Sequence, residues 1–330
     1  MKVDAALTGS LEQSGTIAAD LEEAGYDGVI SFEGPHDPFV PLVLAASQTS
    51  RVELCTGIAV AFARNPMNLA NLAYDLQLVS RGRFILGLGS QIKPHIEKRF
   101  SMPWSHPAAR MRELILAIRA IWASWQDGKP LRFEGEFYRH TLMTPFFDPG
   151  PNPYGLPRIF LAGVGPAMTE VAGEVADGFM VHPFSSDRFL RDTTWPALRR
   201  GLAARGRSAD GFEVAWTVMV GADSDADRDR LRSRLAFYAS TPAYRPVLDT
   251  HGWGSLQPEL NQLSKQGEWG RMASLITDEM VDVFAVSVTP SEVGKRVAAR
   301  AGGLVTRVSL GTSGQQAGGE DAINTLHAVP

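Results

Sequence analysis

The chain has 330 residues, of which 44% are hydrophobic and 21% charged, and its formal net charge is -4. This is the composition of an ordinary globular protein, and the charge gives no electrostatic basis for binding nucleic acid or an anionic membrane. Cys55 is the single cysteine, which excludes an internal disulfide and a thiolate metal cluster. The length suits one large α/β barrel or two smaller domains.

The amino terminus and the most apolar helical stretch bear on where the protein works. Lys2 and Asp4 stand where a signal peptide needs its apolar segment. The stretch Leu114–Trp125 is interrupted by Arg119 and is too short to span a bilayer. We therefore expect a cytoplasmic protein without a membrane or nucleic-acid partner.

Short apolar runs alternate with helical patterns along the chain, which favours parallel strands covered by helices. The predicted strands are, in order, Lys2–Leu7, Asp27–Phe32, Val52–Ile58, Arg83–Leu88, Arg158–Ala162, Phe179–Val181, Phe212–Val220 and Leu304–Leu310. Helical spacing and helix start and stop signals predict helices between them. The clearest are Leu11–Ala24, Pro41–Thr49, Asn68–Val79, a helix from Pro107 to Gly128, Asp187–Ala204, Asp223–Ser240 and a helix that starts after Thr289.

Eight strands with intervening helices predict an α/β fold, a (β/α)8 TIM barrel formed by residues 1–330 as a single domain. Two segments are too long for one crossover connection and are predicted insertions: residues 92–157 after strand four and 222–288 after strand seven. From about residue 311 the composition predicts a flexible tail. A doubly wound open sheet is the alternative fold.

Small residues end three consecutive predicted strands. Strand three ends in Gly57-Ile58, strand four in Gly87–Gln91 and strand five in Gly163–Gly165. In parallel barrels the loops at the carboxyl ends of the strands carry the chemistry, and glycines let backbone N–H groups approach an anion. The alternative is that barrel strands often end in glycine for steric reasons alone.

Several of these segments resemble a known family. Cys55–Ile58, Ala63–Pro66 and Ser80–Gly89 resemble the bacterial luciferase-like family, and more specifically its branch that uses the deazaflavin coenzyme F420. Gly163–Pro166 followed by Ala176–Gly178 resembles the second signature of that family. The resemblance implies a TIM barrel with a helical insertion after strand seven, often dimeric, that binds flavin or deazaflavin at the carboxyl end of the strands.

The resemblance also implies roles for individual residues. It places a non-proline cis peptide at Gly57-Ile58, beside the cofactor ring. The predicted cofactor-binding residues are Gly57, Ile58, Gly89, Ser90, Gln91, His95, Ala162, Gly163, Val164, Gly165 and His182. Phosphate in TIM barrels lies more often near strands seven and eight, so its placement by strands four and five depends on the resemblance. His95 is equally compatible with a surface helix position, and His182 with a simple loop position before Pro183.

Glu33 and His36 follow strand two and are the candidate catalytic residues. Hydride transfer to or from an alcohol carbon needs a group that moves the hydroxyl proton, and a histidine or a buried carboxylate can do this. The alternative is that His36 or Asp37 only caps the next helix. The remaining histidines show no metal-ligand spacing, so we predict no metal site.

The leading hypothesis is an F420-dependent oxidoreductase that acts on a small organic molecule and forms a homodimer. A monooxygenase that uses flavin mononucleotide (FMN) is the first alternative. A non-catalytic flavin-binding protein is the second, and an unrelated TIM-barrel hydrolase that uses Glu33 is the third. The insertions would shape the substrate pocket, with Trp104, Trp253 and Trp269 as candidate wall residues.

Overall fold

The structure of the protein, a computed structural model, describes residues 1–329, with the backbone alone described for residues 312–318. Eight parallel strands form its centre: β1 Lys2–Ala6, β2 Gly28–Ser31, β3 Glu53–Thr56, β4 Phe84–Gly89, β5 Arg158–Gly163, β6 Gly178–Val181, β7 Glu213–Gly221 and β8 Arg307–Leu310. Each strand pairs with the next, and β8 pairs with β1, so the sheet closes into a barrel. The predicted (β/α)8 barrel is confirmed, and the open sheet is wrong because an open sheet keeps two unpaired edges.

Helices surround the barrel. Those packed around it are Ser14–Glu23, Phe39–Gln48, Pro66–Val79, Pro107–Asp127, Pro166–Val175, Trp195–Ala204, Val293–Ala301 and Thr312–His327, the last with non-helical backbone at Gly319. Several begin with proline in the first turn, where its missing N–H costs nothing. No helix in the part of the chain that the structure describes has the length and apolar character needed to cross a bilayer. The flexible tail predicted from about residue 311 falls largely on residues 312–318, whose side chains lie outside the described part.

The predicted strand Val52–Ile58 is longer than the observed one. Regular pairing of β3 ends at Thr56, and the Gly57-Ile58 peptide that follows is cis, as the resemblance implied. The chain then forms a short strand, Ala59–Val60, that pairs in parallel with the end of β4.

The segment 92–157 is only partly an insertion. Its long helix, Pro107–Asp127, packs between Pro66–Val79 and Pro166–Val175 and is the fourth helix of the ring. The additional part is a small antiparallel hairpin, Phe133–Glu134 with Arg139–His140, in the region where alternation around Gly135 predicts one. The length of the segment thus reflects a barrel helix together with the hairpin and loops.

The segment 222–288 is mostly helical, as predicted. Its elements are the helices Asp225–Ala239, Arg245–Asp249, Gln257–Gln266, Trp269–Ser274 and Asp278–Phe284, and the strand Ala285–Ser287, which pairs with β7. The apolar sides of these helices form a second hydrophobic core with Phe184 and Met219 from the barrel. This core holds the insertion over the ends of β6 and β7.

The interior of the barrel is layered. A middle layer of Ile30, Cys55, Ile85, Phe160 and Met180 comes from five neighbouring strands. At the amino ends of the strands lies a network of charged side chains. Its members are Lys2, Asp4, Glu53, Arg158, Glu213 and Arg307.

Arg307 is the centre of this charged network. Its side chain is 2% exposed and binds both oxygens of the Asp4 carboxylate, with Nη2–Oδ1 and Nε–Oδ2 distances of 2.7 and 2.8 Å. Its Nη1 atom also donates to Glu53 at 2.7 Å and to Glu213 at 3.0 Å. Arg158 pairs with the same two glutamates from β5. The floor of the barrel is therefore closed by paired charges, and the open end is the carboxyl end.

The charged network predicts a loss of stability in acid. Burial by itself raises the pKa of Glu53, but the charges of Arg307 and Arg158 outweigh it and lower the pKa from 4.5 to about 2. The stabilisation by this group is present above the unfolded pKa and is lost as the pH falls from 4.5 toward 2. We expect the free energy of unfolding in urea to fall between pH 5 and pH 3, and Glu53→Gln to make that fall shallower. An equally steep fall in Glu53→Gln would contradict the assignment.

Candidate functional site

Three glycines at the carboxyl ends of β3 and β4, here called the glycine rim (Gly57, Gly87 and Gly89), lie next to the end of β5. The strands are direct neighbours, since β3 pairs with β4 and β4 with β5. A Cβ atom at Gly57 would clash with Cγ2 of Ile30, and one at Gly87 would clash with the Thr56 carbonyl and stand 2.9 Å from Sδ of Met180. Both glycines therefore face the barrel interior, where these atoms leave no room for a larger residue.

Hydrogen bonds hold the glycine rim in place. The Thr56 hydroxyl accepts from the N–H of Gly87 at 2.9 Å and donates to the carbonyl of Gly87 at 2.8 Å. The N–H of Gly57 donates to the Ser31 carbonyl at 2.7 Å, and the N–H of Glu33 donates to the Ile58 carbonyl at 3.2 Å. Because Thr56 and Gly87 are buried, their close approach is maintained from inside the protein.

The loop after β4 continues the glycine rim. Ser90 and Gln91 are half-buried, and Gln91 has a φ of 60° in the left-handed region. The Ser90 hydroxyl donates to the Gln91 carbonyl at 3.0 Å. His95, by contrast, is exposed at the start of a short π-helix, His95–Arg99.

The loop after β5 lies on the other side of β4. Ala162, Gly163, Val164 and Gly165 are all half-buried, and a ten-residue helix, Pro166–Val175, begins directly after Gly165. The positive end of the helix dipole is therefore at this loop. Val164 packs against the core of the insertion, so the loop joins the glycine rim to the insertion.

The loop after β2 holds the two candidate catalytic residues in different surroundings. The Glu33 side chain is 6% exposed, and its Oε2 accepts from Arg64 Nη1 at 2.6 Å and from the Val60 N–H at 2.7 Å. Arg64 also pairs with Asp37 at 2.8 Å. His36 is exposed and lines a cavity of about 200 Å³ between the loops after β1 and β2. The structure thus places Glu33 in an ion pair and leaves His36 open to a ligand.

The predicted capping role at this loop belongs to Asp37. The N–H of Phe39, the first residue of helix Phe39–Gln48, donates to Asp37 Oδ1 at 2.9 Å. This contact and the ion pair with Arg64 hold the loop from both sides. Arg99 provides a third contact with this loop, since its Nη2 atom donates a hydrogen bond to the Gly34 carbonyl at 2.9 Å.

His182 ends β6 and contacts two tyrosines of the insertion. The ring centroid of His182 lies 4.8 Å from that of Tyr238 and 4.5 Å from that of Tyr244. Burial lowers the pKa of His182 to about 4, and burial raises the pKa of Tyr244 to about 12. We call these three residues the His–Tyr wall, and all three are uncharged at neutral pH.

The tryptophans proposed as wall residues lie in three places. Trp104 packs against the main core, with its ring centroid 5.6 Å from that of Phe62. Trp253 stacks on His251, whose Nε2 atom lies 2.8 Å from the Ser186 hydroxyl. Trp269 is 54% exposed. Trp253 thus belongs to the aromatic core of the insertion, which the other two do not join.

Met180, Tyr238 and Tyr244 also belong to this site, but no local sequence pattern marks them. Met180 reads as an ordinary strand residue, and the tyrosines lie more than fifty positions from His182. The contacts of the tyrosines with His182 follow only from the folding of the insertion. Among the described residues, no group of three or more His, Cys, Asp or Glu side chains could hold a metal ion.

Known proteins share the sequence pattern and the fold of this chain. The family described as luciferase-like monooxygenase matches residues 3–307. An uncharacterized protein of Mycobacterium tuberculosis (strain ATCC 25618 / H37Rv) is 55% identical over 313 residues, which cover 93% of this chain and 92% of that protein. The 5,10-methylenetetrahydromethanopterin reductase of Archaeoglobus fulgidus is 27% identical over 299 residues, which cover 88% and 86% of the two chains.

A solved structure shares the fold over the full length. The coenzyme F420 dependent tetrahydromethanopterin reductase from Methanopyrus kandleri superposes with a TM-score of 0.77 at 20% identity and covers 100% of this chain and 97% of its own. At that identity the likeness concerns the fold, while the family match spans nearly the whole chain. The protein therefore belongs to the luciferase-like monooxygenase family.

Proposed function

We propose that the protein is an oxidoreductase that uses coenzyme F420 to exchange a hydride with a small organic substrate. The observation that carries the proposal is the glycine rim. A Cβ atom at Gly57, Gly87 or Gly89 would clash with Ile30, Thr56 or Ile58, so close packing keeps these positions free of side chains. A flat tricyclic ring could lie against the backbone that they leave at the barrel mouth. The F420-dependent reductase of the same fold supports the choice of coenzyme.

Different residues around the glycine rim would hold different parts of the coenzyme. Gly57, Ile58 and Gly89 would hold the ring, while the half-buried loops Ser90–Gln91 and Gly163–Gly165 would hold the ribityl chain and its phosphate. Backbone N–H groups and the start of helix Pro166–Val175 favour an anion there. Ala162 would lie beneath the ring, with His95 and His182 at the edges of the site. When bound, the coenzyme supplies the hydride chemistry, and the protein supplies orientation and a dry pocket.

A proton must move together with the hydride when the substrate is an alcohol or a carbonyl compound. Of the two candidate catalytic residues, His36 suits this task better than Glu33. The Glu33 carboxylate is already engaged by two hydrogen bonds, from Arg64 and from the Val60 N–H. His36 lies in an open cavity, where its imidazole is available to give a proton to a ligand or take one from it.

We also propose that the protein works in the cytoplasm on a small molecule and as a homodimer. Leu72, Leu78 and Val79 are between 38% and 54% exposed on helix Pro66–Val79. Exposed apolar side chains that share one helix are typical of an association surface.

An FMN-dependent monooxygenase is the second candidate, and the family description favours it. Titration of the purified chain with each cofactor, followed by fluorescence, separates the two. We expect coenzyme F420 to bind with a dissociation constant at least about tenfold below that of FMN. Tight FMN binding without affinity for F420 would reverse the assignment.

The non-catalytic alternative is tested with the same sample. Reduced and oxidised coenzyme F420 are incubated with a panel of alcohols, aldehydes and imines, and the coenzyme spectrum is followed. Turnover of at least one compound is expected of an enzyme. Stoichiometric binding without any turnover would favour a carrier protein, and failure to bind any flavin would favour the hydrolase that uses Glu33.

A further inference from the structure

The His–Tyr wall borders the glycine rim on the side of β6. Met180 lies on β6, and His182 comes directly after the last residue of that strand. The Met180 side chain reaches the glycine rim, with Sδ 2.9 Å from a Cβ position at Gly87 and Cε 3.3 Å from one at Gly57. His182 lies nearer the mouth, because it follows the carboxyl end of the strand. A molecule that rests on the glycine rim would therefore have the His–Tyr wall beside it.

The polar hydrogens of the His–Tyr wall are free to bind a ligand. His182 Nδ1 accepts from the N–H of Phe184 at 3.1 Å, which leaves the ring proton on Nε2 in the neutral imidazole. Neither His182 Nε2 nor the hydroxyls of Tyr238 and Tyr244 bond to any residue that the structure describes. Burial also raises the pKa of Tyr238, so each hydroxyl keeps its proton at neutral pH.

The surroundings of the His–Tyr wall are apolar. Phe184 lies 6.3 Å from Tyr238 and 6.4 Å from Tyr244, measured between ring centroids, and stacks on Phe284 at 4.7 Å. Arg234, whose charge acts on Tyr238, lies one turn before it on helix Asp225–Ala239 and is exposed to solvent. A carboxylate or phosphate at this wall would lose water without gaining a buried positive partner.

We propose that the His–Tyr wall determines substrate specificity by binding the oxygen atom of an uncharged ketone or alcohol and by excluding anionic substrates. The inference rests on the proposed function, since it concerns the substrate side of the same site. Three neutral donors can bind a carbonyl or hydroxyl oxygen without the cost of burying a charge. The apolar side chains around the wall, such as Phe184, can contact the hydrocarbon part of such a molecule.

Two probes of the same ring size and different charge test this proposal: cyclohexanone and cyclohexanecarboxylate. Each is titrated into the ¹⁵N-labelled full chain, with and without saturating coenzyme F420, while the imidazole resonances of His182 are followed. We expect cyclohexanone to shift the His182 Nε2 resonance and to bind at least tenfold more tightly than the carboxylate. Equal or tighter binding of the carboxylate, or an unmoved His182 resonance with cyclohexanone, would overturn the proposal.

Conservative variants separate recognition from folding. At least one of Tyr238→Phe and Tyr244→Phe is expected to lower the affinity for cyclohexanone about fivefold, because a hydrogen bond to the ligand is lost. The affinity for coenzyme F420 should be unchanged. Tyr154→Phe, in the exposed loop after helix Pro107–Asp127, is the matched control and should change neither affinity. If both wall variants bind cyclohexanone as tightly as the control, the wall does not recognise the oxygen.

The two proposals fail in distinguishable ways. If only the wall inference is wrong, coenzyme F420 still binds and cyclohexanone leaves the His182 resonance unchanged. If the proposed function is wrong, the coenzyme does not bind, whether or not cyclohexanone shifts the His182 resonance in the chain alone.

Discussion

Replacing Ala162 with tryptophan is expected to raise the dissociation constant for coenzyme F420 at least about hundredfold. Ala162 is half-buried on β5, two positions beyond the interior residue Phe160 and opposite Met180 of β6. Its side chain therefore faces the space above the middle layer of the barrel, beside the glycine rim. An indole at this position would occupy the volume that we assign to the deazaflavin ring. Fluorescence titration with the coenzyme measures the effect.

The control for this variant is Ala209→Trp. Ala209 is exposed in the turn before β7, at the opposite end of the barrel, and the same substitution there should leave coenzyme affinity unchanged. Circular dichroism and the melting temperature of both variants show whether the fold is retained. If Ala162→Trp binds the coenzyme within threefold of the unmodified protein, the ring does not lie against β5 and the assignment of the site is wrong.

Replacing Arg307 with methionine is expected to lower the free energy of unfolding by about 3–5 kcal/mol. The guanidinium group is 2% exposed and pairs with Asp4, Glu53 and Glu213. Removing it leaves the Asp4 carboxylate, which is only 3% exposed, without its charged partner, while Glu53 and Glu213 keep Arg158 and Lys2. The cost is that of one uncompensated buried charge, which is larger than the net contribution of the intact pair. Urea unfolding at pH 7 measures it.

Lys2→Met is the matched comparison, because Lys2 belongs to the same network but is 42% exposed. An exposed ion pair contributes about 0–1 kcal/mol, so this variant should unfold at nearly the same urea concentration as the unmodified protein. Equal losses in Lys2→Met and Arg307→Met would mean that burial does not set the strength of the network. Asp4→Asn in the Arg307→Met background should recover part of the loss, since it removes the charge that the first substitution leaves unpaired.

The barrel itself could be predicted from the chain because its signals are local. Apolar runs of strand length, helix caps and glycine stops recur eight times, and each depends on residues within a few positions of one another. The bounds of β3 and the nature of segment 92–157 were less predictable. The end of β3 depends on the conformation at Gly57-Ile58, and helix Pro107–Asp127 counts as a barrel helix only because of what it packs against.

The candidate site, like the fold, could be predicted from the sequence only in part. Glycines at three strand ends and the motif around them were visible in the sequence, because parallel strands bring their carboxyl ends to one edge. Glu33 was visible as a candidate acid, yet its ion pair with Arg64 joins residues 31 positions apart. No local pattern reports that contact, which is why Glu33 and His36 could not be ranked before the structure.

The sequence by itself determined the repeating β/α order and the family resemblance, and it predicted the chemistry at the carboxyl end of the barrel. The tertiary structure alone decided that Arg307 closes the barrel floor and that His182 meets Tyr238 and Tyr244. The physical reason is the distance along the chain over which each kind of interaction acts. Hydrogen bonding and side-chain periodicity act between near neighbours in the chain, whereas ion pairs and aromatic contacts join residues that only the closed barrel brings together.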